Sequence, residues 1–370
     1  MPRLRELYRL REQRISGIMI GVPVYIPAVL ELRGYKLKFY DLSDVKIGEI
    51  GSDVKEGRIE SVNFELLPIG CGAFSFVLDD FCELFDITYR TRVDIHPYFD
   101  PAPWFTGFIQ TLPQPGQERP YEYTGFGFFE QLAWVTVTGS YEDQDIAEIV
   151  KTIISTMVAP NTQIIYNAAK VETTSYIVET LDFYLTSAKD AIQSLADMAT
   201  GYVFGVDDTR EFYFRPIESA VNYEYWVGKH CQEIAITKNP FTVRNRLYIK
   251  VGLIQGEGTA YIKAGSNCIG YEEDAASIAA YGLREDVITA PDVLDIDDAR
   301  QWAEEILSKT KDPEIKAKIK NLIFDTTKSK MSAIGKTRIT THDGIEYLLF
   351  TKKVDYSITS AGILGNVELE

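Results

Sequence analysis

Residues Ser187 to Pro216, SAKDAIQSLADMATGYVFGVDDTREFYFRP, constrain this chain more than any other stretch. Ala188, Ala191, Ile192, Leu195, Ala196 and Ala199 fall at i, i+3, i+4, i+7, i+8 and i+11, the spacing of one apolar helical face. Ser187 precedes the run as an N-cap, Asp190 is its capping-box partner, and Gly201 sits where a helix needs a left-handed stop. Tyr202–Val206 and Glu211–Arg215 then read as two aromatic strands around Asp207-Asp208-Thr209-Arg210, with Pro216 closing the second. A helix running into a tight hairpin is a small packed module. Nothing in it looks catalytic, and β-rich sequence lies on both sides.

The chain has 370 residues and is 45% hydrophobic, enough for two or three domains with real cores. Its 22 Tyr and 19 Phe favour strands. A formal net charge of −16 argues against a general nucleic-acid-binding surface, since neutralising phosphates takes excess Lys and Arg. The same charge is compatible with a conduit that nucleic acid passes without adsorbing. Cys71, Cys82, Cys231 and Cys268 are widely spaced, form no CxxC and read as buried free thiols rather than a zinc site; Cys71 and Cys82 could also meet across a hairpin. The charged start gives no signal peptide, and no apolar run approaches the ~20 residues of a membrane span.

Residues 1–14 carry Arg3, Arg5, Arg9, Arg11 and Arg14 among Leu4, Leu7 and Leu10. They read as a basic, weakly amphipathic arm, either solvated or docked on an acidic neighbouring subunit. Residues 15–139 read as a first β domain, with strands at Tyr35–Tyr40, Arg58–Leu67, Phe74–Leu78, Ile87–Ile95, Trp104–Thr111 and Tyr121–Phe129. Gly107, Gly125 and Gly127 inside these strands mark bulges or bends, as in a small closed barrel or sandwich. Residues 140–220 form a mixed middle domain. Asp143–Val158 predicts a helix with Ile146, Ile149, Val150, Ile153, Ile154 and Met157 on one face, ended by Pro160. Asn161–Phe183 gives no strong pattern beyond short strands at Gln163–Tyr166 and Tyr176–Val178. Ile149, Ile153, Ile192 and Leu195 are the expected core of this domain. Residues 221–370 return to β character with helices at Asp274–Ala280 and from Asp297 to about Ser308, and a turn at Asp343-Gly344. The fold class is therefore α+β, mainly β, with two β domains flanking a smaller helix-plus-hairpin domain.

His96, His230 and His342 have no HxH, HExxH or HxxxH partner. There is no GxSxG, P-loop or GxGxxG; Gly125-Phe126-Gly127 is a GxG inside a strand. Asp292, Asp295, Asp297 and Asp298 lack the glycine and terminal glutamate of an EF-hand and read as helix N-terminal aspartates. No catalytic residue, cofactor or metal ligand is assigned. Aromatic stripes such as Tyr223-Glu224-Tyr225-Trp226 leave one alternative, a carbohydrate-binding or carbohydrate-active tail protein.

Four places in this order resemble the baseplate hub (tail hub) proteins of tailed phages and contractile injection systems. They are Asp86–Ile95 with Trp104-Phe105-Thr106-Gly107-Phe108-Ile109, then Tyr123–Leu132, then Asp145–Ile154 with the helix–hairpin module. The fourth is Val243–Ile249 followed by Asp274-Ala275-Ala276-Ser277-Ile278-Ala279-Ala280-Tyr281-Gly282 and the helix Asp297–Leu307. The resemblance implies a non-enzymatic structural protein of the virion tail baseplate or tip, made in the host cytoplasm. It implies a homotrimer whose two tube-like β-barrel domains per chain form a pseudo-sixfold ring. That ring would adapt a hexameric tail tube to a threefold spike or tip and form part of the channel for genome ejection. The implied partners are a tail tube or distal tail protein, a spike or tip protein and a tape measure protein, with DNA passing unbound. Hub proteins of some siphophages carry a further peptidase or carbohydrate-binding region; none is read before Glu370, so lytic activity is expected on another protein.

Overall fold

A computed structural model describes residues 35–51, 59–80, 82, 85–97, 100, 102–114, 120–231, 233–250, 268–290, 296–322, 331, 333–359 and 362–370. The first β region contributes β1 (Tyr35–Tyr40), β2 (Lys46–Gly51), β3 (Ile59–Leu67), β4 (Gly70–Leu78), β5 (Arg92–Pro97), β6 (Phe105–Thr111) and β7 (Tyr121–Gly127). The middle region holds β8 (Thr136–Asp145), helix α1 (Ile146–Ile153), β9 (Ile177–Ser187), α2 (Ala188–Met198), β10 (Tyr202–Val206) and β11 (Phe212–Pro216). Then follow β12 (Val221–Trp226), β13 (Ile234–Asn239), β14 (Arg246–Lys250), β15 (Cys268–Glu273), α3 (Ala275–Tyr281), β16 (Glu285–Thr289) and α4 (Ile296–Thr310). The chain finishes with β17 (Glu314–Leu322), β18 (Lys336–Thr340), β19 (Glu346–Thr359) and β20 (Gly362–Leu369). The architecture is mainly β with a smaller helical share, as the sequence indicates.

Among the described residues one sheet of fifteen strands runs β13-β17-β20-β19-β3-β4-β7-β6-β5-β1-β2, with β10 and β11 joined at β4, and β12 and β18 joined at β19. Its seam is the antiparallel pair β3–β19, in register from Leu66 opposite Val354 to Ser61 opposite Thr359. The two β regions therefore share a sheet and one apolar core. Phe64 stacks on Tyr356 across the seam at 4.8 Å, and Trp104 meets the same tyrosine edge-on at 5.2 Å. Such ring pairs add about 0.5–1.5 kcal/mol each beyond area burial. A second apolar core lies under the middle region and takes in Phe108, Phe128, Phe129 and Leu132 from the end of the first. A small sheet, β15-β14-β16, carries α3 and α4 beside it.

Several boundaries differ from those the sequence suggests. The helix expected from Asp143 starts at Ile146, because Asp143 to Asp145 complete β8, and its last turn, Ile154–Val158, widens to a π turn. The short strand expected at Tyr176–Val178 is the start of an eleven-residue strand, β9, paired with β8 along its length, whereas Gln163–Tyr166 contributes only a single bridge at Ile165. Tyr121–Phe129 stops as a strand at Gly127, and Phe128–Trp134 coil into a 3-10 segment that drops Phe128, Phe129 and Leu132 into the second core.

Candidate functional site

The middle module is built by local rules. Asp145 caps α1 by accepting from the Ala147 amide at 2.7 Å. Ser187 caps α2: its hydroxyl accepts from the Asp190 amide at 3.1 Å and donates to the Asp190 carboxylate at 2.7 Å. Gly201, at φ +89°, then turns the chain into the β10–β11 hairpin. At the hairpin tip the Asp207 carboxylate accepts from the amides of Thr209 (2.9 Å) and Glu211 (3.0 Å), a closed Asx turn. Ile149, Ile153, Ile192 and Leu195 all sit at 0% exposure in the second core.

This module is fastened to the sheet at one edge. β10 meets β4 in parallel with Val206 opposite Gly70, and the Val206 amide donates to the Ile69 carbonyl at 3.0 Å. The Tyr213 hydroxyl donates to the Pro68 carbonyl, and burial holds that phenol well above its ordinary pKa. Arg210 reaches from the hairpin to Asp44 at 2.8 Å, and Arg92 on β5 holds the same carboxylate at 2.5 Å. Arg92 also lies 3.2 Å from Asp94 and over the Tyr40 ring at 3.7 Å. Burial pushes the Asp94 carboxyl above the usual range despite Arg92 beside it. The arrangement is a charge lattice that fixes one body on another.

Lys170 bridges Asp207 and Glu211, each at 2.5 Å. Burial alone would raise the Asp207 carboxyl, but Lys170, Thr209 and the Glu211 amide outweigh it and hold it below the usual range. A depressed folded pKa gives stability that is present above the ordinary carboxylate pKa and lost as pH falls through the folded value. Asp207→Asn is expected to cost about 1 kcal/mol at neutral pH, discounted because Lys170 is a third exposed. Thermal melts of the two proteins should therefore differ at pH 7 and converge as pH drops below about 4.

An open trough of about 520 Å³ crosses the sheet between Glu65, Thr124, Asp355 and Asn366. Its two carboxylates, Glu65 and Asp355, are both held by the Lys353 ammonium. Tyr223 and Tyr225 pack parallel at 6.4 Å, with Trp226 exposed beside them. Among the described residues no three His, Cys, Asp or Glu side chains gather as a metal site. His96 is buried on β5, and His230 accepts the Trp226 amide at 3.0 Å through Nδ1. Cys71, Cys82 and Cys231 are buried free thiols with no Cys71–Cys82 disulfide; Cys268, also expected to be buried, is exposed because β15 lies at the rim of the small sheet. Asp297 is exposed in the first turn of α4, whereas Asp292, Asp295 and the arm arginines Arg3, Arg5, Arg9, Arg11 and Arg14 lie outside the described residues.

Two distant sequence stretches meet at Asn245. Its side-chain amide donates to the Gly282 carbonyl (2.8 Å) and Ser277 hydroxyl (3.3 Å) and accepts from the Arg284 amide (2.7 Å). Ser277 in turn donates to the Lys311 carbonyl at 2.5 Å, past the end of α4. The Val243–Ile249 and Asp274–Gly282 stretches are thus one hydrogen-bonded corner. A fully buried Asn there needs all of these partners.

No family model and no curated protein matches the chain. Solved structures do. The tail protein of Neisseria meningitidis MC58 superposes with a TM-score of 0.65 at 10% identity, covering 91% of this chain and 96% of that one. This chain shares the fold of that tail protein. The 43 kDa tail protein of prophage MuSo2 from Shewanella oneidensis gives 0.64 at 12% identity over 91% and 98% of the two chains. Prophage tail protein gp18 of Listeria monocytogenes EGD-e gives 0.57 at 14% over 90% and 94%. The likeness runs through both β regions and the middle module, so the tail-protein resemblance read from the sequence holds at the level of fold.

Proposed function

We propose that this chain is a non-enzymatic structural hub of a phage-type tail baseplate or tail tip in the virion. Three copies form a pseudo-sixfold ring, each contributing two tube-like β units. The ring adapts a hexameric tail tube or distal tail protein to a threefold spike or tip, beside a tape measure protein, and lets DNA through unbound. The observation that carries this reading is the tail-protein fold over about nine-tenths of both chains. The charge of −16 supports it, since an acidic wall repels phosphates. So does the charge lattice, which holds the middle module rigidly on the sheet. The arginine arm, residues 1–14, serves as a clip between subunits. Mass photometry should give a particle of three times the 41.8 kDa chain mass, and class averages a ring with a central channel. Monomer alone, even with tube and tip partners present, would overturn the proposal.

A further inference from the structure

The strands β8 and β9 form a ribbon of their own; among the described residues neither pairs with any further strand. They are ten and eleven residues long, so two long strand edges are open. An unpaired edge is a template for another chain, and here the only devices set against strand pairing are acidic side chains and a bulge. Neither strand contains Lys, Arg or Pro. Glu142, Asp143, Glu179 and Asp182 are all exposed on it, and none forms an ion pair among the described residues.

The ribbon also carries a strained apolar knob. The register shifts between Val137, opposite Thr186, and Gly139, opposite Phe183, so Thr138 alone faces both Tyr184 and Leu185. Leu185 is forced to φ +49°, and its amide donates to the Thr138 hydroxyl at 3.1 Å. The bulge turns both side chains outward, leaving Tyr184 79% and Leu185 63% exposed. A bulky residue in the left-handed region, held there to show apolar surface, is an outlier that points to binding.

The sequence supplies an occupant of matching chemistry. Thirty-four residues precede β1, and the first fourteen hold five arginines against Glu6 and Glu12, a net +3, with Leu4, Leu7, Tyr8 and Leu10 between them. The remaining chain then carries −16 minus 3, or −19, so two bodies repel unless something basic lies between them. Residues 15–34 can span up to roughly 66 Å at full extension, enough to reach a neighbour. We infer that the arm of one copy docks on the β8–β9 ribbon of a second copy, its arginines on Glu142, Asp143, Glu179 and Asp182 and its leucines on the Tyr184–Leu185 bulge. The inference rests on the assembly reading, because it needs a second copy within reach.

The test uses the full chain. Benzoylphenylalanine replaces Tyr184 in a mixture of ¹⁵N-labelled and unlabelled copies, and cross-linked peptides are read by mass spectrometry after irradiation. Links from position 184 to residues 1–14 that combine both isotopes are expected. In parallel, Arg5→Glu with Arg9→Glu, and separately Glu142→Arg with Glu179→Arg, should each raise the dissociation midpoint of the oligomer about tenfold, and all four together should restore it. An oligomer that forms without links to the arm overturns the inference and leaves the hub reading standing. So do same-isotope links alone, which would mean that each arm lies on its own ribbon, or a fourfold variant no tighter than either pair. A chain that stays monomeric overturns both readings.

Discussion

Leu195→Asp is expected to unfold the middle module. Leu195 lies at 0% exposure in a core with Ile149, Ile153 and Ile192. Removing the leucine costs about 2–5 kcal/mol in lost burial and cavity, and an unpaired buried carboxylate adds several more. That sum is comparable with the whole stability of a typical domain, ~5–15 kcal/mol. The new carboxyl would be raised in pKa by its apolar surroundings. A raised acid in the folded state is penalised most above its folded pKa, so the defect should shrink as pH falls. Circular dichroism melts and urea titrations between pH 4 and 8 would show this, with Leu195→Met as a near-neutral control costing less than about 1.5 kcal/mol. Because the charge lattice seats the module on the sheet, the Asp variant should also fail to assemble. An Asp variant that melts with the parent would show that this helix face does not hold the module together.

The helix face is also where the sequence was most legible. In α2 the apolar residues recur at helical spacing, a serine caps the start and a glycine stands just past the end, so every local preference agrees. The ribbon was illegible for the opposite reason. β9 has polar or charged residues outward on both faces, so it lacks the alternation that marks a half-buried strand, and Asp143 to Asp145 suit a helix start as well as a strand end. The seam was out of reach in another way. Phe64 and Tyr356 each sit in an ordinary strand pattern, and no local rule says that strands nearly the whole chain apart pair with each other. The same holds for the site. The arginine of β5, Arg92, is plain in the sequence, but its partner Asp44, and Arg210 on the other side of that carboxylate, come together only through the fold. Asn245 is the exception a closer reading could have found: an Asn just before a strand of Leu and Ile, far from any turn glycine, asks for buried partners.

Gly70→Ala should be the most damaging glycine-to-alanine change among the described residues, and it tests how the module is joined to the sheet. Gly70 has φ +110°, where a side chain is strained whatever the space around it, and a Cβ there would stand 1.8 Å from the Val206 carbonyl oxygen. Neither party can yield by a rotamer change, since the obstacle is the backbone of β10. The strain costs about 1–3 kcal/mol, and pulling β10 from β4 removes the Val206-to-Ile69 hydrogen bond and part of the packing behind it. A total of at least ~3 kcal/mol lowers Tm by about 4 °C or more for a chain of 370 residues. Gly201→Ala is the control. It has φ +89° but nothing within 4 Å of the new Cβ, so it carries the backbone term alone, about 1 kcal/mol. Hydrogen exchange separates the two: the Val206 amide should lose protection in Gly70→Ala and keep it in Gly201→Ala. Equal losses in both would mean that the junction is slack, and that the Asp44, Arg92 and Arg210 lattice, rather than the close approach at Gly70, holds the module in place.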